Sequence, residues 1–128
     1  MASASQGYHE AEDKLSSNTK NLHRALVSLQ EELEAIDWYR QRADVADNAE
    51  LKSVLLHNME EEIEHACMVL EWLRRNEPLF DEKLRVYLFQ TKPITEIEEA
   101  EERSGALARP EPKQASRIGF TVGPMKGD

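Results

Sequence analysis

Leu51, Leu55, Asn58, Glu62, His65, Val69 and Trp72 follow one another at steps of four and three, a spacing that gathers them on one face of an α-helix. The middle of that face is polar. A parallel row, Met59, Ile63, Ala66, Leu70 and Leu73, keeps the same spacing and is wholly apolar, so the helix already owns an ordinary core face. The Glu62/His65 face therefore needs another partner. A carboxylate and an imidazole turned inward cost several kcal/mol unless something satisfies them, and a shared cation suits both.

A second apolar repeat precedes this one. Leu22, Leu26, Leu29, Leu33 and Ile36 predict a helix from Thr19 to about Asp44, with Ser16, Ser17 or Asn18 as its cap. The repeat stops at Asp44–Asn48, where Asp47 or Asn48 can cap the next helix, which runs to about Asn76. A link this short makes the two helices an antiparallel hairpin. Pro78 ends the second helix, Asp81–Phe89 forms a short amphipathic piece, and Pro93 opens an acidic helix to Arg103. The expected fold is all-α. Its parts are a disordered N-terminus (1–18), the helical region (19–103), a flexible linker (104–117) and an apolar tail (118–128) carrying Ile118, Phe120, Val122 and Met125.

Two long amphipathic helices enclose little core, so a chain of 128 residues built this way is expected to self-associate into a four-helix bundle. The formal charge of −9 argues against nucleic acid or an anionic membrane as partner, and favours cations. No apolar run approaches the roughly 18 residues that span a bilayer, and the first residues lack the features of a secretory signal. A cytoplasmic protein is expected. The single cysteine, Cys67, offers no intramolecular disulfide or paired-cysteine metal site.

Glu62 and His65 stand at i and i+3, one turn apart, where both can reach one ion, and a carboxylate of the neighbouring helix would complete the set. Glu32 is the candidate. It lies one heptad beyond Ala25 and is followed by Ile36 and Tyr39 at i+4 and i+7, so it borders the apolar stripe, whereas Glu31 and Glu34 lie elsewhere on the turn. Di-iron helix bundles take one glutamate from each of two helices and a Glu-x-x-His from each of the other two. This chain has one copy of each element, hence half of such a site, which a two-fold dimer would complete. The mixed oxygen and nitrogen donors suit iron or manganese, with zinc as a further option. His57, Glu61 and Glu64 form another set at i, i+4 and i+7, which on a glutamate-rich helix is commonly a solvated face. Glu31, Glu34 and Trp38 form an acidic cluster on the first helix. Trp38 and Tyr39 are ordinarily packing residues, and either could line a path for ions.

In EELEAIDWY (31–39), HNMEEEIEHACMVLEWLRRN (57–76) and YLFQTKPITEIEEA (87–100), the sequence resembles the encapsulated ferritins, cargo proteins of bacterial encapsulin nanocompartments. The resemblance implies a ferritin-like ferroxidase that oxidises Fe(II) with oxygen at a di-iron centre formed between two chains, in a ring-shaped decamer of five dimers. It implies Glu32, Glu62 and His65 as the iron ligands, with Tyr39 close by. Glu31, Glu34 and Trp38 would mark the route by which ions arrive, and His57, Glu61 and Glu64 an outer site for cations such as calcium. The tail FTVGPMKG (120–127) is similar to the family's encapsulation peptide, with Phe120 and Pro124 as departures. The expected partner is thus an encapsulin shell protein, which would store the iron this chain oxidises. A peroxide-handling di-metal enzyme and a helical assembly protein that merely binds ions are the rival readings.

Overall fold

The computed structural model describes residues 7–108, which form four α-helices and one short 3-10 turn and contain no strand. Two units result, residues 1–76 and 77–128.

The first unit is the hairpin of α1 (Ser17–Val45) and α2 (Ala49–Asn76), packed along each other. Its ends are set by side-chain oxygens. The Ser16 hydroxyl oxygen accepts the Thr19 amide at 3.0 Å, and Asn48 Oδ1 accepts the Leu51 amide at 2.8 Å, each satisfying an N–H that a helix start leaves unpaired. Between the helices stand only Ala46, Asp47 and Asn48, with the Ala46 amide closing the last turn of α1 on the Arg42 carbonyl at 3.1 Å.

Of α2's two rows, the apolar one supplies the buried positions, although its Ile63 stays 43 % exposed. Leu73 is 0 % exposed and Ala66 is 8 % exposed, and α1 contributes Ala43 at 1 %. Alanines on both helices let the backbones approach, and burying a leucine such as Leu73 contributes about 1.5–3 kcal/mol. The mixed row lies at the margin, where Leu51 and Trp72 remain exposed, together with Leu33 on α1 and Met68 on α2.

The N-terminal segment is more ordered than its composition suggests. Residues 12–14 form the 3-10 turn, the Tyr8 ring lies 4.8 Å from that of His23, and Lys20 pairs with Glu12 at 3.8 Å. Disorder through residue 18 is therefore corrected from Gly7 onward. Ring contacts and a cap fix this segment to α1, and neither leaves a periodic signal.

The second unit holds α3 (Pro78–Tyr87) and α4 (Ile94–Ala108). Pro78 is the first residue of α3, where its missing N–H costs nothing; α2 has already ended at Asn76. The Pro93 carbonyl accepts the amides of Glu96 and Ile97 at 3.0 and 3.2 Å, and Ile97 is buried. Between α3 and α4, Phe89 adopts φ 60° and is fully exposed. Burial raises the pKa of the Tyr87 phenol, and the charges of Glu98, Glu101 and Glu102 on α4 raise it further.

Helix α4 continues to Ala108, so the linker does not begin at residue 104. Ala106, Leu107 and Ala108 favour helix enough to carry it past Gly105, whose cost is about 1 kcal/mol, and Pro110 disfavours helix at the residue before it. The rest of that linker and the whole of the tail (118–128) lie outside the described residues.

Candidate metal centre

Halfway along the hairpin the mixed row of α2 meets a glutamate of α1. Glu32, Glu62 and His65 each present a donor atom, all within 4.8 Å of one another, the only such three-donor group among the described residues. His65 Nδ1 lies 3.4 Å from Glu62 Oε1 and 3.7 Å from Glu32 Oε1. The carboxylates are half-buried, with side chains 24 % exposed, and the imidazole is open at 46 %. Two glutamates thus stand against the protein with the histidine on the solvent side.

This cluster is strained electrostatically. The Glu32 carboxyl has a raised pKa, first through a hydrogen bond with the Glu62 carboxyl, then through burial and the Glu62 charge; His65 opposes the shift and Glu31 adds to it. A hydrogen bond between two carboxyl groups requires a proton, so the pair is comfortable only when something positive lies between them. A divalent cation fills that need, and two carboxylates with one imidazole are donors that iron, manganese and zinc accept.

Around the cluster the remaining sequence candidates are dispersed. Trp38 and Tyr39 stand two turns up α1, where the Arg42 guanidinium lies 5.8 Å from the Trp38 ring centre and 5.7 Å from that of Tyr39. Arg42 was not among the candidates, although its i+4 and i+3 spacing from the two aromatics was readable. His57 Nε2 and Glu61 Oε2 approach to 3.8 Å on an exposed face; Glu64 does not join them in a three-donor group, nor do Glu31 and Glu34 form one. One turn below His65, an open groove of about 380 Å³ is lined by Ala25, Ser28, Met68, Val69 and Trp72. Apolar surface and metal donors therefore share one open side of the hairpin. At the end of α2, Glu71 accepts from Arg74 at 2.8 and 2.9 Å and from Arg75 at 2.7 Å, which holds its carboxyl down to about 2.

Comparison with known proteins places this arrangement. The family model EncFtn-like matches residues 7–91, and the chain belongs to that family. It is 46 % identical over 131 aligned positions to the encapsulated ferritin-like protein of Rhodospirillum rubrum, covering 100 % of this chain and 94 % of the relative. A ferritin-like protein of Thermotoga maritima is 53 % identical over 92 positions, covering 72 % of this chain and 81 % of the other. Among solved structures, that of protein ne0167 from Nitrosomonas europaea superposes with a TM-score of 0.67 at 53 % identity, over 69 % of this chain and 97 % of that one. No helix among the described residues is long and apolar enough to cross a membrane.

Proposed function

We propose that this protein is a ferroxidase whose di-iron site forms between two copies, each giving Glu32, Glu62 and His65. The observation that carries the reading is the convergence of two carboxylates and one imidazole within 4.8 Å on the open side of a hairpin. Two copies related by a two-fold axis would bring four carboxylates together, whose four negative charges balance two Fe²⁺ substrate ions. The exposed Leu33, Met68 and Trp72 supply apolar surface for such a pairing.

In this reading the raised Glu32 carboxyl gives up its proton when the ions arrive, so binding strengthens as pH rises. His65 donates from the solvent side and fixes the ions against both helices. Each Fe²⁺ would lose one electron, the pair together reducing one dioxygen to the peroxide level, and the chain's part is to hold both ions with open positions beside them. A hairpin open on one side holds no mineral, so storage falls to a container. The full-length relative is named encapsulated, and the apolar residues at 118–128 would dock this chain in an encapsulin shell. Five such dimers in a ring complete the proposed assembly.

Oxygen consumption after anaerobic loading with Fe²⁺ tests the reading. Glu62→Ala removes one ligand per chain, hence two per site, and is expected to abolish rapid oxidation. Wild-type rates in that variant would sink the assignment. Ion binding without oxygen uptake in the parent would leave an assembly protein instead.

A further inference from the structure

Met68 is 64 % exposed, more than any other large apolar side chain of α2. It follows His65 by three residues, one turn of the helix, so the thioether and the imidazole are surface neighbours. With Ala25, Ser28, Val69 and Trp72 it also lines the open groove beside the metal centre. The other sulfurs of α2 lie elsewhere. Met59 is half-buried on the apolar row, and Cys67, although exposed, stands about 160° around the helix from His65. A thioether fills apolar surface well and is readily oxidised to a polar sulfoxide. An oxidisable sulfur therefore sits where the carboxylate–imidazole cluster opens to solvent, on the apolar surface offered for pairing.

We propose that Met68 is an oxidation site that regulates pairing: hydrogen peroxide converts its thioether to the sulfoxide in the unpaired chain, and the sulfoxide keeps two metal-binding faces apart. The inference rests on the ferroxidase reading, in which two Fe²⁺, one dioxygen and two protons leave two Fe³⁺ and one hydrogen peroxide. At Met68 the sulfur lone pair attacks one peroxide oxygen and the O–O bond breaks. Sulfur gains an S–O bond and is oxidised by two electrons, while the departing hydroxide takes the proton of the transferred oxygen and leaves as water. Pairing then has to bury the S–O dipole within apolar surface, and a two-fold axis makes that cost arise twice. Reduction of the sulfoxide by a methionine sulfoxide reductase restores the thioether, so the change is reversible. Peroxide from working sites thus limits how many new sites assemble.

The test uses full-length protein carrying Cys67→Ser throughout, because the exposed thiol also consumes oxidant. Metal-free protein at high dilution is treated with hydrogen peroxide, and trypsin then releases residues 53–74 as one peptide holding both Met59 and Met68. Mass spectrometry is expected to show Met68 oxidised at least about fivefold faster than Met59. Pairing with Mn²⁺ is followed by analytical ultracentrifugation, with helix content checked by circular dichroism. Peroxide is expected to raise the pairing dissociation constant about tenfold or more in the parent. Met68→Leu, which keeps volume and apolarity, should pair before and after peroxide alike, and Met68→Gln should pair weakly without any oxidant. Equal oxidation of Met59 and Met68 overturns the site. Loss of pairing in peroxide-treated Met68→Leu, or a parent that never pairs, overturns the regulation. If the parent takes up no oxygen with Fe²⁺, the ferroxidase reading fails while added peroxide still decides the role of Met68.

Discussion

Replacing Glu62 by glutamine should stabilise the metal-free protein while weakening its response to metal. Two full negative charges 4 Å apart repel by about 1 kcal/mol in water and about 4 kcal/mol near a protein surface. Here the donor atoms lie within 4.8 Å and both side chains are 24 % exposed, so the lower part of that range applies, about 1–2 kcal/mol. The amide introduced by Glu62→Gln keeps a donor for Glu32 and removes the charge. For a unit of this size each kcal/mol moves the melting midpoint by about 4–8 °C. Thermal melts at pH 8 in chelator should therefore show the variant melting higher than the parent. Adding Mn²⁺ at a hundredfold excess over its dissociation constant should stabilise the parent by about 2.7 kcal/mol and the variant by clearly less. The pH dependence has a fixed sign. Because the folded-state pKa of Glu32 is raised, its cost to stability is absent below the ordinary carboxyl range and grows as pH rises through the folded value. The advantage of Glu62→Gln should thus shrink toward pH 4. A variant that melts lower than the parent in chelator at pH 8 would refute the strained pair.

Leu73→Ala, at a wholly buried position of the hairpin, should cost about 2–5 kcal/mol in denaturant unfolding, whereas Leu51→Ala at an exposed one should cost much less unless copies bury it. Deleting residues 119–128 should leave iron oxidation intact and prevent co-purification with a co-expressed encapsulin shell protein. Equal co-purification of the truncated chain would rule out a targeting role for the tail.

Much of the hairpin was legible because its determinants are local and periodic. Ser16 and Asn48 cap the two helices, each one of the caps the sequence offered there, and the buried positions of α2 fall on the row that is wholly apolar. The convergence of Glu32 on Glu62 and His65 was also foreseeable, since a short link between two amphipathic helices fixes which rows face each other. What escaped notice depends on contacts that periodicity does not encode. The Tyr8–His23 ring contact joins an irregular segment to a helix, and Arg42 matters through ring faces more than through its place in a stripe. Helix α4 overran its expected end because three good helix formers outweigh one glycine. The outer set of His57, Glu61 and Glu64 shows the converse, for helical spacing put them on one flank and brought His57 and Glu61 to 3.8 Å without gathering Glu64 into a three-donor group.

The two perturbed carboxyls of the hairpin take up protons in a fixed order as pH falls. Glu32, raised by its neighbour, takes up protons early; Glu71, held by two guanidinium groups to about 2, takes them up last. Glu62 and Glu71 are nine residues apart on α2, about 13 Å of one rigid rod. Mild acid therefore relieves the carboxyl pair at the middle of the hairpin while the ion pairs of Glu71 near the end of α2 persist. On the proposed metal site, a bound cation would thus be released, and taken up again on return to neutrality, without rebuilding the far end of α2.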